Sequence, residues 1–314
     1  GHAADGRRLQ RRQLGRESIE SEPVAVSLPR AARRRGHRVV TTGQPTRESV
    51  EFPSRGQTCR GWLYRPAGSA GRRVPAVVMA HGFSAVKEMF LPAFAERFAA
   101  SGCAVLVFDF RFLGASDGEP RGQVFPFEQH EDYRNAISWV SLQPGIDAAR
   151  IGLWGSSYSG GHTLHLAAFD RRVKAAVAQV PAVRAWPLLL ALLGRPGLDA
   201  FLAQISADRV ERFKSGAVTE IPVVAPPGQP SVLAAPDAWD WFQKTGAAIA
   251  PSWRNAVTLE SLEKMLEYDP PGAIELISPT PLLVIGAISI PLGLAVFKRG
   301  EIYAKRHGKL KRSG

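Results

Sequence analysis

The chain has little cysteine: Cys59 and Cys103 are the only two in 314 residues. Two thiols so far apart cannot build a disulfide framework, and a reduced, cytoplasmic setting is expected. CxxC and HExxH are both missing, which excludes a thiol redox pair and the common zinc signatures. His162 and His165 lie three apart, but no third ligand stands at a fitting distance, so no metal is expected. No glycine-rich phosphate loop and no internal repeat is present, and no cofactor is expected. The first residues lack the apolar stretch of a secretory signal. Their arginine content is that of an organelle transit peptide, but Glu17, Glu20 and Glu22 argue against one. Acid is missing late in the chain. After Ile285 the only carboxylate side chain is Glu301 and the only histidine is His307.

The formal charge of +12 is unevenly placed. Residues 1–60 carry 13 Lys/Arg against 6 Asp/Glu, residues 298–314 carry 7 against 1, and the middle carries 20 against 21. A nucleic-acid-binding fold places its basic face on the fold itself, so no nucleic-acid partner is expected. Residues 1–46 are rich in Arg, Gly and Ser without a sustained apolar period and read as a basic disordered extension; 298–314 read as a basic tail. With 45% apolar residues the chain can bury one sizeable core, placed at 47–297.

What is present in abundance is the pattern of a parallel α/β sheet. Apolar runs near 75–80, 104–110, 151–155 and 175–180 alternate with helical periods at 87–101 and 127–143. In the first helix Phe90, Leu91, Phe94, Phe98 and Ala99 share a stripe; in the second Tyr133, Ile137 and Val140 point inward. The third run leads into 150–161, RIGLWGSSYSGG, where a strand enters a tight turn of small residues and then a helix. This fits a nucleophile elbow, whose strained serine tolerates only small residues two positions to either side. Ser156 has Trp154 on one side, which is too large. Ser159 has Ser157 and Gly161 and is allowed by spacing. Ser157 has Gly155 and Ser159 and follows directly on the strand, so Ser157 is the expected nucleophile. The run 74–84 ends in His81-Gly82-Phe83. Glycine there frees the Phe83 N–H to face a bound carbonyl, and the turn aims the Tyr158 N–H at the same place; these two are the expected oxyanion donors. His81 reads as a structural histidine holding its loop.

The HGF at 81–83, the segment 109–116 (DFRFLGAS), the approach 147–155 and the elbow 155–161 together resemble the α/β-hydrolase superfamily. The nearest likeness is to its dienelactone-hydrolase and Xaa-Pro-dipeptidyl-peptidase-like branch, which includes polyketide-transferase-like proteins. The resemblance covers about 47–286, with Phe112 where a glycine is common. It implies a mainly parallel sheet flanked by helices and a serine hydrolase or acyl transferase acting on an ester, thioester or related acyl substrate. It also implies an acid after the seventh strand and a later histidine. Residues 281–285 match that strand, but 286–291 bring no acid. The order Ser157, Glu301, His307 is permitted, yet five residues separate the last two and basic residues crowd His307. The expectation is a chain whose last strand and catalytic end are absent and whose activity is impaired; its first residue, Gly, also suggests a fragment. A non-catalytic remnant is the alternative.

Residues 181–278 read as a helical cap between the sixth and seventh strands, with a leucine run at 188–193 and a proline-rich connector at 222–236. Trp239, Trp241, Phe242 and Trp253 suit either an apolar acyl pocket or the cap's own core. The uncharged span 280–297 could anchor a membrane, but Pro281 and Pro291 and its bare length favour a strand running into a helix, and a membrane is not expected as a partner.

Overall fold

The computed structural model describes residues 43–286. Among the described residues seven strands form one sheet in the order β1-β2-β4-β3-β5-β6-β9. β1 (Thr46–Ser54) and β2 (Gln57–Arg65) make an antiparallel hairpin, and β2 pairs antiparallel with β4 (Ala104–Phe108). From there β4, β3 (Val74–Ala80), β5 (Ile146–Ser156), β6 (Val173–Gln179) and β9 (Leu282–Ile285) run parallel.

Adjacent residues of a strand face opposite sides of the sheet, so a sheet covered on both sides needs unbroken apolar strands. Val78, Leu106 and Leu153 face the core shared with α2 (Pro126–Ser141) and α3 (Tyr158–Phe169). Met79, Val105, Val107 and Trp154 face α1 (Leu91–Ala100), which buries Leu91, Ala95 and Ala99 against them. The expected inward residues Tyr133, Ile137 and Val140 are buried.

Boundaries differ where tertiary bonds intervene. The expected helix 87–101 starts only at Leu91, because Lys87 is drawn into the interior by Asp109 and Phe90 adopts φ 61°, outside helical space. β4 stops at Phe108, two residues short of the apolar run, since Asp109 turns to serve the loops on either side. β5 begins at Ile146, five residues early, through a register shift against β3.

Between β6 and β9 lie α4 (Ala185–Ser215), α5 (Pro236–Ile249), α6 (Leu259–Leu266) and a 3-10 segment (Pro270–Ile277). A short ribbon, β7 (Glu220–Ile221) with β8 (Val257–Thr258), ties them together. α4 is two helices joined at Gly194 (φ 66°, ψ 174°) just before Pro196. Its second half is clamped to α6 by Arg212, which reaches Asp208 at 2.7 Å, Glu260 at 3.0 Å and Glu263 at 2.6 Å.

The pairing of Leu282–Ile285 with β6 uses the start of the uncharged 280–297 span as sheet. Residues 1–42 and 287–314 lie outside the described residues, and with them most of the expected basic extension, the tail, Glu301 and His307.

Candidate active site

β5 delivers Ser157 to the end of the sheet, and α3 starts at the next residue. Ser157 sits at φ 56°, ψ −116°, a conformation that costs a non-glycine residue about 1–3 kcal/mol. Its neighbours hold it there. The Ser157 N–H donates to the Gln179 carbonyl of β6 at 2.9 Å, and its carbonyl accepts from Gly161 at 3.2 Å and Ala182 at 2.8 Å. Gly155 is obligatory, since a Cβ there would fall 2.2 Å from the Ser159 carbonyl oxygen.

The three candidate serines now separate. The Ser159 hydroxyl is buried, donates to the Ala80 carbonyl at 2.7 Å and accepts from the Ser156 N–H at 2.9 Å; it braces the turn. Ser156 is half-buried. Ser157 alone of the three is exposed.

Gly82 lies against the elbow: a Cβ on it would come within 3.2 Å of Ser157 Cβ and 3.7 Å of Oγ. The chain therefore brings the next residue, Phe83, beside Tyr158, and their rings meet edge-to-face at 5.8 Å. Tyr158 is the first residue of α3, where the N–H has no intrahelical acceptor. Among the described residues no carbonyl accepts from the Phe83 N–H either. The structure thus gathers Ser157, Phe83 and Tyr158 at one spot.

A cavity of about 300 Å³ opens on Ser157. Met89, Phe90, Phe94, Trp154, Trp241 and Phe242 are among the residues that line it. Spacing puts Phe90 and Phe94 on one stripe with Leu91, which is buried. Both remain partly exposed and border the cavity instead, Phe90 touching Trp241 at 5.9 Å and Phe94 touching Trp154 at 4.9 Å. Of the four cap aromatics, Trp241 and Phe242 reach the cavity. Trp253 stacks behind Phe242 and donates its indole N–H to Ser84 at 2.9 Å, and Trp239 packs against the core.

His81 borders the cavity without serving it. Its Nδ1 lies 3.0 Å from the Gly82 carbonyl, and its Nε2 faces Asp109 at 3.8 Å. Burial holds its pKa below the usual histidine value, against the pull of Asp109. Asp109 also accepts from the Lys87 N–H at 2.6 Å, from Lys87 Nζ at 2.6 Å and from the Ala115 N–H at 3.0 Å. The loops after β3 and β4 are fastened by this one carboxylate. No imidazole or carboxylate hydrogen-bonds Ser157 among the described residues.

His162 and His165 join His130 behind the elbow. His130 and His165 stack at 4.0 Å, and His130 Nε2 and His162 Nδ1 both lie about 3 Å from the Tyr268 hydroxyl. His162 Nε2 meets Gln129 at 2.8 Å. The described residues contain no group of ligands able to hold a metal ion. Burial first, then neighbouring imidazoles, drive the pKa of His130 and His162 well below normal; burial and Arg134 bring His165 to about 4. Unfolded histidine titrates near 6.5, so the cluster's contribution is complete above that pH and fades as pH falls toward the folded values. The unfolding free energy is expected to drop between pH 7 and pH 5, by up to about 1.4 kcal/mol per pH unit per histidine, and the urea midpoint with it, with a shallower slope in His162→Gln. A midpoint unchanged over that range would show that the fold accepts the protons.

Residues 61–218 match the family of X-Pro dipeptidyl-peptidases (S15 family). The quorum-quenching protein AidA of Acinetobacter baumannii is 35% identical over 206 residues, which span 66% of this chain and 66% of that protein. The thiohydrolase aneE of Aspergillus aculeatus is 36% identical over 77% of this chain and 76% of its own. The polyketide transferase grgF of a Penicillium species is 31% identical over 78% of this chain and 80% of its own. The crystal structure of the α/β hydrolase GrgF from Penicillium superposes with a TM-score of 0.65 over 77% of this chain. The α/β sheet and the matches that these proteins make over most of the chain place it: the chain belongs to the X-Pro dipeptidyl-peptidase (S15) family of α/β hydrolases.

Proposed function

We propose that the chain is a serine acyl hydrolase or acyl transferase whose nucleophile is Ser157. The observation that carries this is an exposed serine in a strained turn, lining an apolar cavity, next to Phe83 and Tyr158, whose N–H groups are the proposed oxyanion donors. Ser157 Oγ bonds to the acyl carbon while the carbonyl π pair moves to oxygen, where those N–H groups hold the charge; one such donor is worth roughly 3–4 kcal/mol. Collapse expels the leaving group as alcohol or thiol, the Ser157 proton reaching it by way of solvent, and leaves the acyl group on Ser157. Water or another nucleophile then takes it. Relatives named a thiohydrolase and a polyketide transferase favour a thioester-linked acyl group. The aromatic walls favour an apolar one.

The Ser157 proton needs a base. His81 is held by Gly82 and faces Asp109, and the cluster of His130, His162 and His165 is occupied with Tyr268 and Gln129. Slow turnover is therefore part of the proposal, limited to roughly the 10³–10⁴-fold over water that an oxyanion site and binding provide without a base. A cytoplasmic setting also belongs to it: Cys59 and Cys103 are free, and burial pushes the Cys59 thiol up, so it stays protonated. In a p-nitrophenyl acetate assay we expect a low rate that Ser157→Ala reduces to background and His307→Ala leaves unchanged. Fast turnover lost in His307→Ala would overturn the slow-turnover reading and make His307 the base. A rate at background in both chains would favour a non-catalytic remnant.

A further inference from the structure

We propose that the first half of α4, residues 185–193, is a docking element that inserts into an anionic lipid surface. The inference does not depend on the chemistry of Ser157. These nine residues, AWPLLLALL, carry no charge and no polar side chain apart from the Trp186 indole N–H. They are nevertheless outside the core. Trp186 is 44% exposed, Leu188 57%, Leu190 40%, Leu192 69% and Leu193 45%. Contiguous apolar surface of this kind marks an interaction site.

Geometry selects the occupant. At about 100° per residue, Trp186, Leu190 and Leu193 lie on one side of the helix and Leu188 and Leu192 on nearly the opposite side. A rigid protein partner covers one side of a helix and would leave the other leucines in water. A fluid acyl layer covers both. Length sets the mode. Nine residues rise about 14 Å, against a hydrocarbon thickness of about 30 Å. Gly194 then breaks the helix at φ 66°, and the exposed pair Arg195 and Asp199 follows. By length and composition α4 passes as a membrane-crossing helix, with 11% of the apolar window buried, but this break and pair limit it to shallow insertion. Trp186 stands at the start of the segment, and Trp favours the headgroup level. Arg184 and Arg195 flank it, paired with Asp269 and Asp199, and the net positive charge that residues 1–60 and 298–314 give the chain supplies the attraction to anionic headgroups.

The test is sedimentation of the full chain with vesicles of equal parts phosphatidylglycerol and phosphatidylcholine, set against pure phosphatidylcholine. Binding is expected to the mixed vesicles, with a blue shift of tryptophan emission that Trp186→Phe removes. Leu188→Glu with Leu192→Glu, both at exposed positions, should weaken partitioning about 100-fold, roughly tenfold for each leucine that no longer enters the apolar layer. Unchanged vesicle binding by this double variant would overturn the proposal and assign binding to basic charge alone. A lipid-free dimer that the same variant splits would also overturn it and assign the face to a second copy. Should circular dichroism show the double variant misfolded, brominated-chain lipid decides. Quenching of the unaltered chain well beyond that of Trp186→Phe supports insertion, and equal quenching overturns it.

Discussion

Replacing Asp109 by alanine is expected to lower the unfolding free energy by about 3–5 kcal/mol, the usual cost of removing one partner from a buried ion pair. Asp109 is wholly buried and Lys87 nearly so, with its ammonium 2.6 Å from the carboxylate and 4.9 Å from the Trp62 ring centre. Alanine would leave that ammonium in the interior with the aromatic face alone. It would also strand the N–H groups of Lys87 and Ala115. A domain of this kind holds about 5–15 kcal/mol in total, so the change removes a large share. The second substitution Lys87→Met in the Asp109→Ala chain should recover part of the loss, since the unpaired charge is the main penalty. Urea unfolding of the three chains measures both effects. A loss below about 1 kcal/mol in Asp109→Ala would mean that Lys87 reaches water, as exposed ion pairs do.

The consequence reaches the site, because Asp109 joins the loop that carries Gly82 and Phe83 to the loop that follows β4. This link could not be read from the sequence. Asp109 and Lys87 are 22 residues apart, on either side of a helix, and nothing in a local pattern marks two charges that meet inside. Hydrophobic period, by contrast, is local. It placed the apolar strands within a few residues, and the small-residue turn at 155–161 placed the elbow, because the clash at Gly155 is between near neighbours. Phe90 and Phe94 show what period leaves open: a helical stripe reports which residues share a face, not whether that face meets the core or a cavity. The hairpin of β1 and β2 went unplaced. Its alternation of buried Phe52 and Ser54, then Cys59, Gly61 and Leu63, across the Arg55-Gly56 turn was the available signal. The brace made by Ser159 also needed coordinates. Spacing alone left two serines in competition, and only the hydrogen bonds to Ala80 and Ser156 show which hydroxyl is committed.

The most direct test of the account is where a serine-directed fluorophosphonate attaches. The probe needs a hydroxyl that is exposed, strained into an elbow and facing oxyanion donors, and it does not need turnover of an acyl-enzyme. In the proposed assignment Ser157 meets those conditions: it is exposed, sits at φ 56°, and has Phe83 and Tyr158 beside it, their rings 5.8 Å apart. Ser157→Ala is therefore expected to abolish the adduct completely. Ser159→Ala should keep the adduct on Ser157, with a slower rate and a loss of about 1–3 kcal/mol in stability, because the Ala80 carbonyl and the Ser156 N–H lose their partner. Intact mass after labelling, followed by peptide mapping, reads the outcome. One adduct on Ser157 is the predicted result. An adduct that survives Ser157→Ala and disappears in Ser159→Ala would contradict the assignment and move the nucleophile two residues along the chain.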